Sequence, residues 1–148
     1  MTIEGEYEPS QWQWVRDQVD LYERTGGKEG YLLQGKPNWP IVVITSRGVK
    51  SGKLRKNPVM RVEHDGAYLA VGSKGGTPEN PGWVANFRAD PNVDLQDGPE
   101  PHEYVARELD GDERAVWWDR AVAQYAPYAD YQEKTDRLIP IFLLERSS

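Results

Sequence analysis

The chain has 148 residues, enough for one domain with a buried core, and it carries 24 acidic against 18 basic side chains. It contains no cysteine, which excludes disulfides, a cysteine nucleophile, thiolate-bound metals and iron–sulfur clusters. Its two histidines lie in polar turn sequences, so neither a metal site nor a histidine triad is expected. The polar first residues and the absence of an apolar run of roughly 20 residues favour a cytoplasmic protein.

Residues 10–24 are predicted to form an amphipathic helix, with Ser10 as its N-cap and Gln13 in the capping-box position. The apolar stripe of this helix would consist of Trp12, Val15, Val19 and Tyr22. We expect the stripe to pack on the rest of the domain, because the polar face mixes both charges and offers little to anionic lipid. A weak contact with a membrane surface is the alternative. Residues 1–30 are thus predicted to be a helical extension, and residues 31–148 the main domain.

The rest of the chain reads as short strands with a few helices. Strands are predicted at residues 39–45, 57–63, 67–73, 93–96, 102–109 and 140–144. Pro58 lacks a backbone donor, which places its strand at a sheet edge or a bulge. Helices are predicted at residues 83–89 and after Asp110, the latter with an apolar stripe of Ala115, Trp118, Val122 and Tyr125. This pattern predicts an α+β fold, a small antiparallel barrel with covering helices.

Residues 36–62 form a cationic segment in this acidic chain. They contain seven basic side chains and no acidic one, namely Lys36, Arg47, Lys50, Lys53, Arg55, Lys56 and Arg61. A cationic segment in an anionic background indicates a negatively charged ligand. Within it, residues 45–53 (TSRGVKSGK) combine glycines, hydroxyls and cations, as phosphate sites do. A solvated, charged hairpin tip is the alternative interpretation.

Three further groups of residues could contribute to a site. Asn57 and Pro58 leave the cationic connection at the start of a predicted strand. Residues 71–76 run from a strand into a glycine pair, and residues 80–83 precede a helix, where free N–H groups favour an anion. The third group is a set of tyrosines spaced by three, which would line one side of a helix or turn or would simply pack: Tyr125, Tyr128 and Tyr131.

In their order along the chain, these motifs resemble the deazaflavin-dependent nitroreductase family. The resemblance rests on residues 45–58 (TSRGVKSGKLRKNP), 73–76 (SKGG), 80–83 (NPGW), Asn86, residues 89–91 (ADP), the tyrosine triplet and residues 135–140 (TDRLIP). It implies a split β-barrel related to FMN-binding oxidases. It also implies coenzyme F420 as cofactor, a 5-deazaflavin whose phosphodiester and oligoglutamate tail suit a cationic groove.

By motif position, the resemblance implies a role for each of the following residues. The phosphate and tail would be held by Lys50, Ser51, Gly52, Arg55 and Lys56, and Asn57 and Pro58 would lie near the ring or its linker. The ring edge or its phosphate would meet Ser73, Lys74 and Gly75, with Trp83 packing nearby. The substrate side would be walled by Tyr125, Tyr128 and Tyr131, and Met60 stands where a tyrosine is expected. Ser73 and Tyr128 are the candidates for polarising or protonating the acceptor.

The implied reaction is hydride transfer from C5 of the reduced deazaflavin to an electron-poor acceptor. A quinone, an activated enone or lactone, and a nitroaromatic are the candidate acceptors, and the cofactor supplies the chemistry. An FMN-binding split barrel is the first alternative. A nucleic-acid-binding barrel with a basic hairpin is the second, against which the acidic remainder of the chain argues. The resemblance is compatible with a monomer or a homodimer. It is also compatible with a cytoplasmic protein that contacts the inner face of the membrane and with one that does not.

Overall fold

A computed structural model describes residues 2–147 of the chain. Residue 1 begins the predicted helical extension and residue 148 ends the predicted main domain, and both lie outside that range. Seven strands of the described chain form one antiparallel sheet. The strand order is β2-β1-β5-β6-β7-β4-β3. Their bounds are β1 Ile41–Arg47, β2 Leu54–Met60, β3 Val62–His64, β4 Ala67–Val71, β5 Asn92–Gln96, β6 Pro101–Glu108 and β7 Ile141–Arg146. Every neighbouring pair is antiparallel, as the hairpin pattern predicted.

The sheet curls back on itself into a half-barrel. Strands β2 and β3 stand at opposite ends of the strand order, yet Arg61 alone connects them. The two ends of the sheet therefore lie side by side. Pro58 lies in β2, a terminal strand of the order, where the missing N–H is tolerated, and its predicted edge position is confirmed.

Four helices accompany the sheet within residues 2–147. They are α1 Gln13–Arg24, α2 Gly82–Ala89, α3 Gly111–Gln124 and α4 Pro127–Lys134. Two short 3-10 turns, Leu33–Gly35 and Lys74–Gly76, lie in the connections. Among residues 2–147, no helix combines the length and the apolar character needed to cross a membrane.

The start of α1 differs from the prediction. The Ser10 hydroxyl oxygen accepts a hydrogen bond from the Trp12 N–H (3.1 Å), so it closes a local turn instead of capping the helix. The helix begins at Gln13, and Trp12 in the N-cap position makes no side-chain capping bond. Trp12 is 60% exposed because it stands ahead of the first helical turn, where helical spacing does not apply.

The remaining apolar stripe of α1 packs on the sheet, as predicted. Val15, Val19 and Tyr22 are buried in one cluster with Ile41 and Val43 of β1. The Tyr22 hydroxyl also accepts a hydrogen bond from the Gly98 N–H at 2.7 Å. The N-terminal helix is thus attached to the body of the fold by its apolar face.

Strand β2 starts three residues earlier than predicted and is separate from β3. Its residues Arg55 and Lys56 pair with Ser46 and Thr45 of β1. The charged sequence predicted a connection here, but pairing along the whole length of β1 overrides that local preference. Two predicted phosphate-site cations therefore project from a strand.

The predicted apolar stripe of α3 is only partly correct: Tyr125 is buried as predicted, but the centre of the buried face is shifted by one residue. Trp117 and Ala121 are buried, while Ala115 is exposed and Trp118 is only partly buried. Trp117 packs edge-to-face near His64 of β3, with ring centroids 6.3 Å apart, and this tertiary contact fixes the rotation of the helix. Asp110 occupies the N-cap position as predicted but makes no side-chain capping bond.

Gly72 and Gly82 test how tightly α2 packs on the sheet. A Cβ at Gly72 would lie 2.9 Å from Val84 Cγ2 and 3.0 Å from Pro140 Cγ, so Gly72→Ala must push packed atoms apart. We expect this variant to lose about 1–3 kcal/mol of unfolding free energy in urea titrations. Gly82→Ala is the matched control, because no atom lies within 4 Å of its added methyl and alanine favours helix. Equal stability of the two variants would contradict this packing.

Candidate functional site

The connection between β1 and β2, residues 48–53, is called the basic loop here. The Gly48 N–H donates to the Lys53 carbonyl (2.7 Å), and the Gly52 N–H donates to the Gly48 carbonyl (2.9 Å). Gly52 has a φ of +73°, in the region that favours glycine, and an added Cβ there would meet nothing within 4 Å. Lys50, Ser51 and Gly52 are exposed. The loop is therefore tightly closed within itself and open on its outer side.

Asn86 of α2 holds this loop in place. Its buried side-chain oxygen accepts a hydrogen bond from the Val49 N–H at 3.0 Å, and its amide nitrogen donates to the Ser46 hydroxyl at 3.5 Å. Sequence reasoning noted Asn86 only as part of a motif and gave it no role. A buried amide on a core helix thus fixes where the basic loop lies.

The segment from Gly72 to Asn80, called the glycine loop here, is held by Arg137. One guanidinium nitrogen donates to the Gly72 carbonyl (3.1 Å) and to the Asn80 side-chain oxygen (2.7 Å). The other two nitrogens donate to the carbonyls of Ser73 (2.8 Å) and Thr77 (2.9 Å). Sequence reasoning missed this role. The only signal was the place of Arg137 in the TDR motif, since its partners lie about sixty positions earlier in the chain.

Both loops contact the same helix. Gly72 of the glycine loop packs against Val84, and Asn86, two residues further along α2, binds Val49 of the basic loop. Residues two apart on a helix are only about 3 Å apart along its axis but point in nearly opposite directions. Helix α2 therefore supports both glycine-containing motifs, one on each side.

The three tyrosines adjoin the glycine loop. Tyr125 ends α3, and Tyr128 and Tyr131 lie on α4, which packs so closely on the glycine loop that a Cβ at Gly76 would lie 2.7 Å from the Tyr131 carbonyl oxygen. The Tyr125 and Tyr128 ring centroids are 4.8 Å apart. Met60 is buried in the same apolar cluster, next to which Trp39 also packs. The predicted tyrosine group is therefore a real cluster beside the glycine loop.

The hydroxyls of these tyrosines differ in their partners. The Tyr125 and Tyr131 hydroxyls lie 3.0 Å apart in a hydrogen bond. The Tyr128 residue is buried, but its hydroxyl has no partner among residues 2–147 and is not sealed from solvent. Ser73 is in the same situation, with only 7% of the residue exposed. Each of the two predicted catalytic residues thus has a hydroxyl available to a ligand.

Burial raises the pKa of two of these tyrosines above its usual value. It raises the pKa of Tyr128 well above its usual value, with smaller contributions from its two tyrosine neighbours. Burial and the hydrogen bond with Tyr131 raise the pKa of Tyr125 to about 12. At neutral pH both side chains are uncharged phenols, able to donate a hydrogen bond but unsuited to act as a base.

Five of the seven cations in the cationic segment are paired with carboxylates from elsewhere in the chain. The pairs are Arg47–Asp90 (3.8 Å), Lys53–Glu6 (3.8 Å), Arg55–Glu8 (2.8 Å), Lys56–Glu23 (2.5 Å) and Arg61–Asp97 (2.8 Å). Lys36 and Lys50 have no acidic partner within 4 Å among residues 2–147. The fold therefore reduces the local positive charge that the sequence window indicated.

The other residues predicted to bind the cofactor differ in their burial and in their contacts. Asn57 and Pro58 lie half-buried in the middle of β2. Lys74 is exposed, 3.8 Å from the Glu79 carboxylate, and an added Cβ at Gly75 would meet no atom within 4 Å. Trp83 is a core residue, with its ring centroid 4.8 Å from that of Phe87. Residues 2–147 hold no group of three or more acidic, histidine or cysteine side chains able to bind a metal.

Comparison with known proteins finds relatives that cover most of the chain. A family model described as F420H(2)-dependent quinone reductase matches residues 14–146. An F420H(2)-dependent quinone reductase of Mycobacterium tuberculosis is 32% identical over 137 residues, which cover 90% of this chain and 91% of that relative.

Two solved structures extend the likeness to three dimensions. An F420-H2 dependent reductase (FDR-A) matches with a TM-score of 0.68 and 54% identity, over 72% of this chain and 94% of its own. A chain described as a domain-swapped dimer matches with a TM-score of 0.70 and 47% identity, over 92% of this chain and 100% of its own. The split-barrel fold and the family resemblance predicted from the sequence are confirmed. The chain belongs to the F420H(2)-dependent quinone reductase family.

Proposed function

We propose that this protein is a reductase that uses reduced coenzyme F420 to deliver a hydride to a quinone. The observation that carries the proposal is that α2 supports both an open cationic loop and the glycine loop, which adjoins the tyrosine cluster. Such a site fits a ligand that is flat and aromatic at one end and anionic at the other. The donor set suits coenzyme F420, whose phosphodiester and oligoglutamate tail need cations and free N–H groups.

The basic loop and the adjoining part of β2 would bind the anionic end. Lys50 is exposed and has no acidic partner among residues 2–147, so its charge is available to a phosphate. Ser51 and Gly52 offer a hydroxyl and open space, and Arg55 and Lys56 project from the neighbouring strand. These residues act by binding and orientation, which is what a protein contributes when a cofactor carries the reaction.

The glycine loop and the start of β2 would hold the ring end. Gly75 has open space above its α-carbon, which lets a flat ligand approach the backbone closely. Ser73 and Lys74 flank that space, and Asn57 and Pro58 would contact the ring or its linker from β2. Trp83 supports this region from the core beneath it.

When bound, the reduced cofactor supplies the hydride. The chain's own contribution is to hold the acceptor among apolar rings and to offer it hydrogen-bond donors. The hydroxyls of Ser73 and Tyr128 would donate to the acceptor oxygen as negative charge develops there, which stabilises the transition state. Because Tyr128 stays a phenol at neutral pH, it can do this without a change in its protonation.

A quinone is the acceptor that the relatives favour, since several are named as quinone reductases. Activated enones and nitroaromatics share the electron-poor character that hydride transfer requires. Met60, buried beside Tyr125 and Tyr128, makes that side of the pocket apolar and adaptable. Binding of nucleic acid is disfavoured, because carboxylates already neutralise most of the cationic segment.

The proposal includes the oligomeric state of the protein. One solved relative is described as a domain-swapped dimer, which supports a homodimer in preference to a monomer.

The proposal also includes the location of the enzyme. We take the enzyme to act in the cytoplasm, with the exposed rings of Trp12 and Trp14 as its point of contact with the inner membrane surface. Tryptophan side chains favour the interface between water and lipid.

The cofactor site is tested by changing Lys50 and Arg55 to alanine together. Removing two cations from the anion site should weaken binding of coenzyme F420 at least about tenfold in a fluorescence titration. The matched control is Arg24→Ala with Lys28→Ala, which removes the same charge outside the cationic segment. Equal affinity of the two double variants would refute the site. Tight binding of FMN without binding of coenzyme F420 would instead indicate an FMN-binding split-barrel protein.

The acceptor contact is tested by Tyr128→Phe. Losing the unpartnered hydroxyl should lower kcat for quinone reduction about tenfold while the affinity for coenzyme F420 stays the same. Since the hydroxyl bonds to no residue of the described chain, the folded state should keep its stability. Tyr31→Phe, which removes an exposed hydroxyl, is the control. An unchanged kcat in Tyr128→Phe would remove this residue from the mechanism.

The membrane contact is tested by replacing Trp12 and Trp14 with serine. We expect the unaltered protein to co-sediment weakly with zwitterionic lipid vesicles, since the polar face of α1 offers little to anionic lipid, and the double variant to stay in the supernatant. Val116→Ser, which removes another exposed apolar side chain, should sediment like the unaltered protein. Sedimentation that does not depend on the two tryptophans would rule out this contact.

A further inference from the structure

An acidic segment ahead of α1, residues 4–8 and called the acidic strap here, lies along β2. The Leu54 N–H donates to the Glu6 carbonyl (2.7 Å), and the Glu8 N–H donates to the Leu54 carbonyl (2.9 Å). Tyr7 thereby forms a parallel β-bridge with Leu54. The strap is a minimal extra strand on the outer edge of the sheet, beside the basic loop.

Two glutamates of the strap rest on cations of the proposed anion site. One Glu8 carboxylate oxygen accepts hydrogen bonds from Arg55 Nη1 (2.8 Å) and from the Ser51 hydroxyl (3.2 Å). A Glu6 carboxylate oxygen lies 3.8 Å from Lys53 Nζ. The hydrogen bond from Arg55 also lowers the pKa of Glu8, so the carboxylate stays ionised. The site already binds glutamate side chains, and they belong to the protein itself.

We propose that the acidic strap is an internal substitute for the oligoglutamate tail of the cofactor and is displaced when that tail binds. The inference rests on the proposed function, which assigns Ser51 and Arg55 to the phosphate and tail. Both ligands offer the same chemistry, a flexible chain with successive carboxylates. Glu6 and Glu8 are two residues apart on an extended backbone, so they project to the same side of the strap.

The interactions that hold the acidic strap can be displaced by a ligand. The side chains of Glu6 and Lys53 are 75% and 43% exposed, so this pair contributes little. Those of Glu8 and Arg55 are 39% and 34% exposed, so their pair is stronger but still reached by solvent.

Within residues 2–147, two backbone hydrogen bonds with Leu54 join the strap to β2. Side-chain contacts add to them: Arg47 donates to the Glu4 carbonyl (2.7 Å), and the Lys56 ammonium lies 4.8 Å from the Tyr7 ring centroid. A bound strap lowers the apparent affinity for any ligand that needs the same cations, because that affinity is proportional to the fraction of protein in which the strap is open. A ligand without glutamates should be much less affected.

The test compares Glu8→Gln with Glu4→Gln. Both remove one negative charge from the strap, but the Glu4 side chain makes no ion pair among residues 2–147, and only its carbonyl accepts a bond, from Arg47. The ligands are coenzyme F420 with several glutamates and the same deazaflavin phosphate without glutamates. At 0.15 M salt, Glu8→Gln should bind the tailed ligand about three- to tenfold more tightly, whereas the tail-less ligand, whose phosphate engages fewer of these cations, should gain about twofold or less. Glu4→Gln should change neither affinity.

Hydrogen exchange gives a second readout in the unaltered protein. The Glu8 and Leu54 amides should exchange faster when the tailed cofactor binds, because strap displacement breaks their hydrogen bonds, and should keep their protection with the tail-less ligand. Normal cofactor binding with a protected strap, or an equal effect of Glu8→Gln on both ligands, would overturn this inference and leave the proposed function standing. Failure of the unaltered protein to bind either ligand would overturn both.

Discussion

The position of the proposed site depends on the packing of α2 against β1. Trp83, Val84 and Phe87 bury one face of this short helix against the sheet. Its one buried amide, Asn86, then faces the basic loop and accepts the Val49 N–H. Because the helix is fixed by the core, two loops that are irregular in sequence acquire a defined relation to each other. Close packing at a single helix thus sets the geometry of a site built from loops.

The fold neutralises much of the positive charge of the cationic segment. A sequence window with seven cations and no acid becomes, in the structure, a surface where five of those cations have carboxylate partners. Most of these pairs are partly exposed, so each is weak and reversible. A surface of this kind can be occupied by the protein's own acids without being closed to a stronger anionic ligand. It also deters non-specific binding of polyanions.

The sequence predicted the structural features that depend on the backbone preferences of neighbouring residues. The β-branched run of β1, Pro58 at the sheet edge and the two glycine motifs follow from backbone preferences alone. The rotation of α3, the early start of β2 and the clamp by Arg137 depend on partners far away in the sequence. In particular, Arg137 bonds carbonyls that any residue could present, so no side-chain pattern marks its targets. The acidic strap was missed for the same reason.

The reaction accounts for the kind of residues at the site. Hydride transfer to a quinone requires a shielded, apolar surface and donors that stay neutral, and it requires no strong acid or base. Tyr125 and Tyr131 satisfy each other's hydroxyls and form the wall, whereas Tyr128 and Ser73 keep theirs unpartnered within the described chain. An unpartnered hydroxyl in a buried residue is unfavourable unless a ligand or water completes it. The protein therefore keeps its free hydrogen-bonding capacity where an acceptor oxygen would need it.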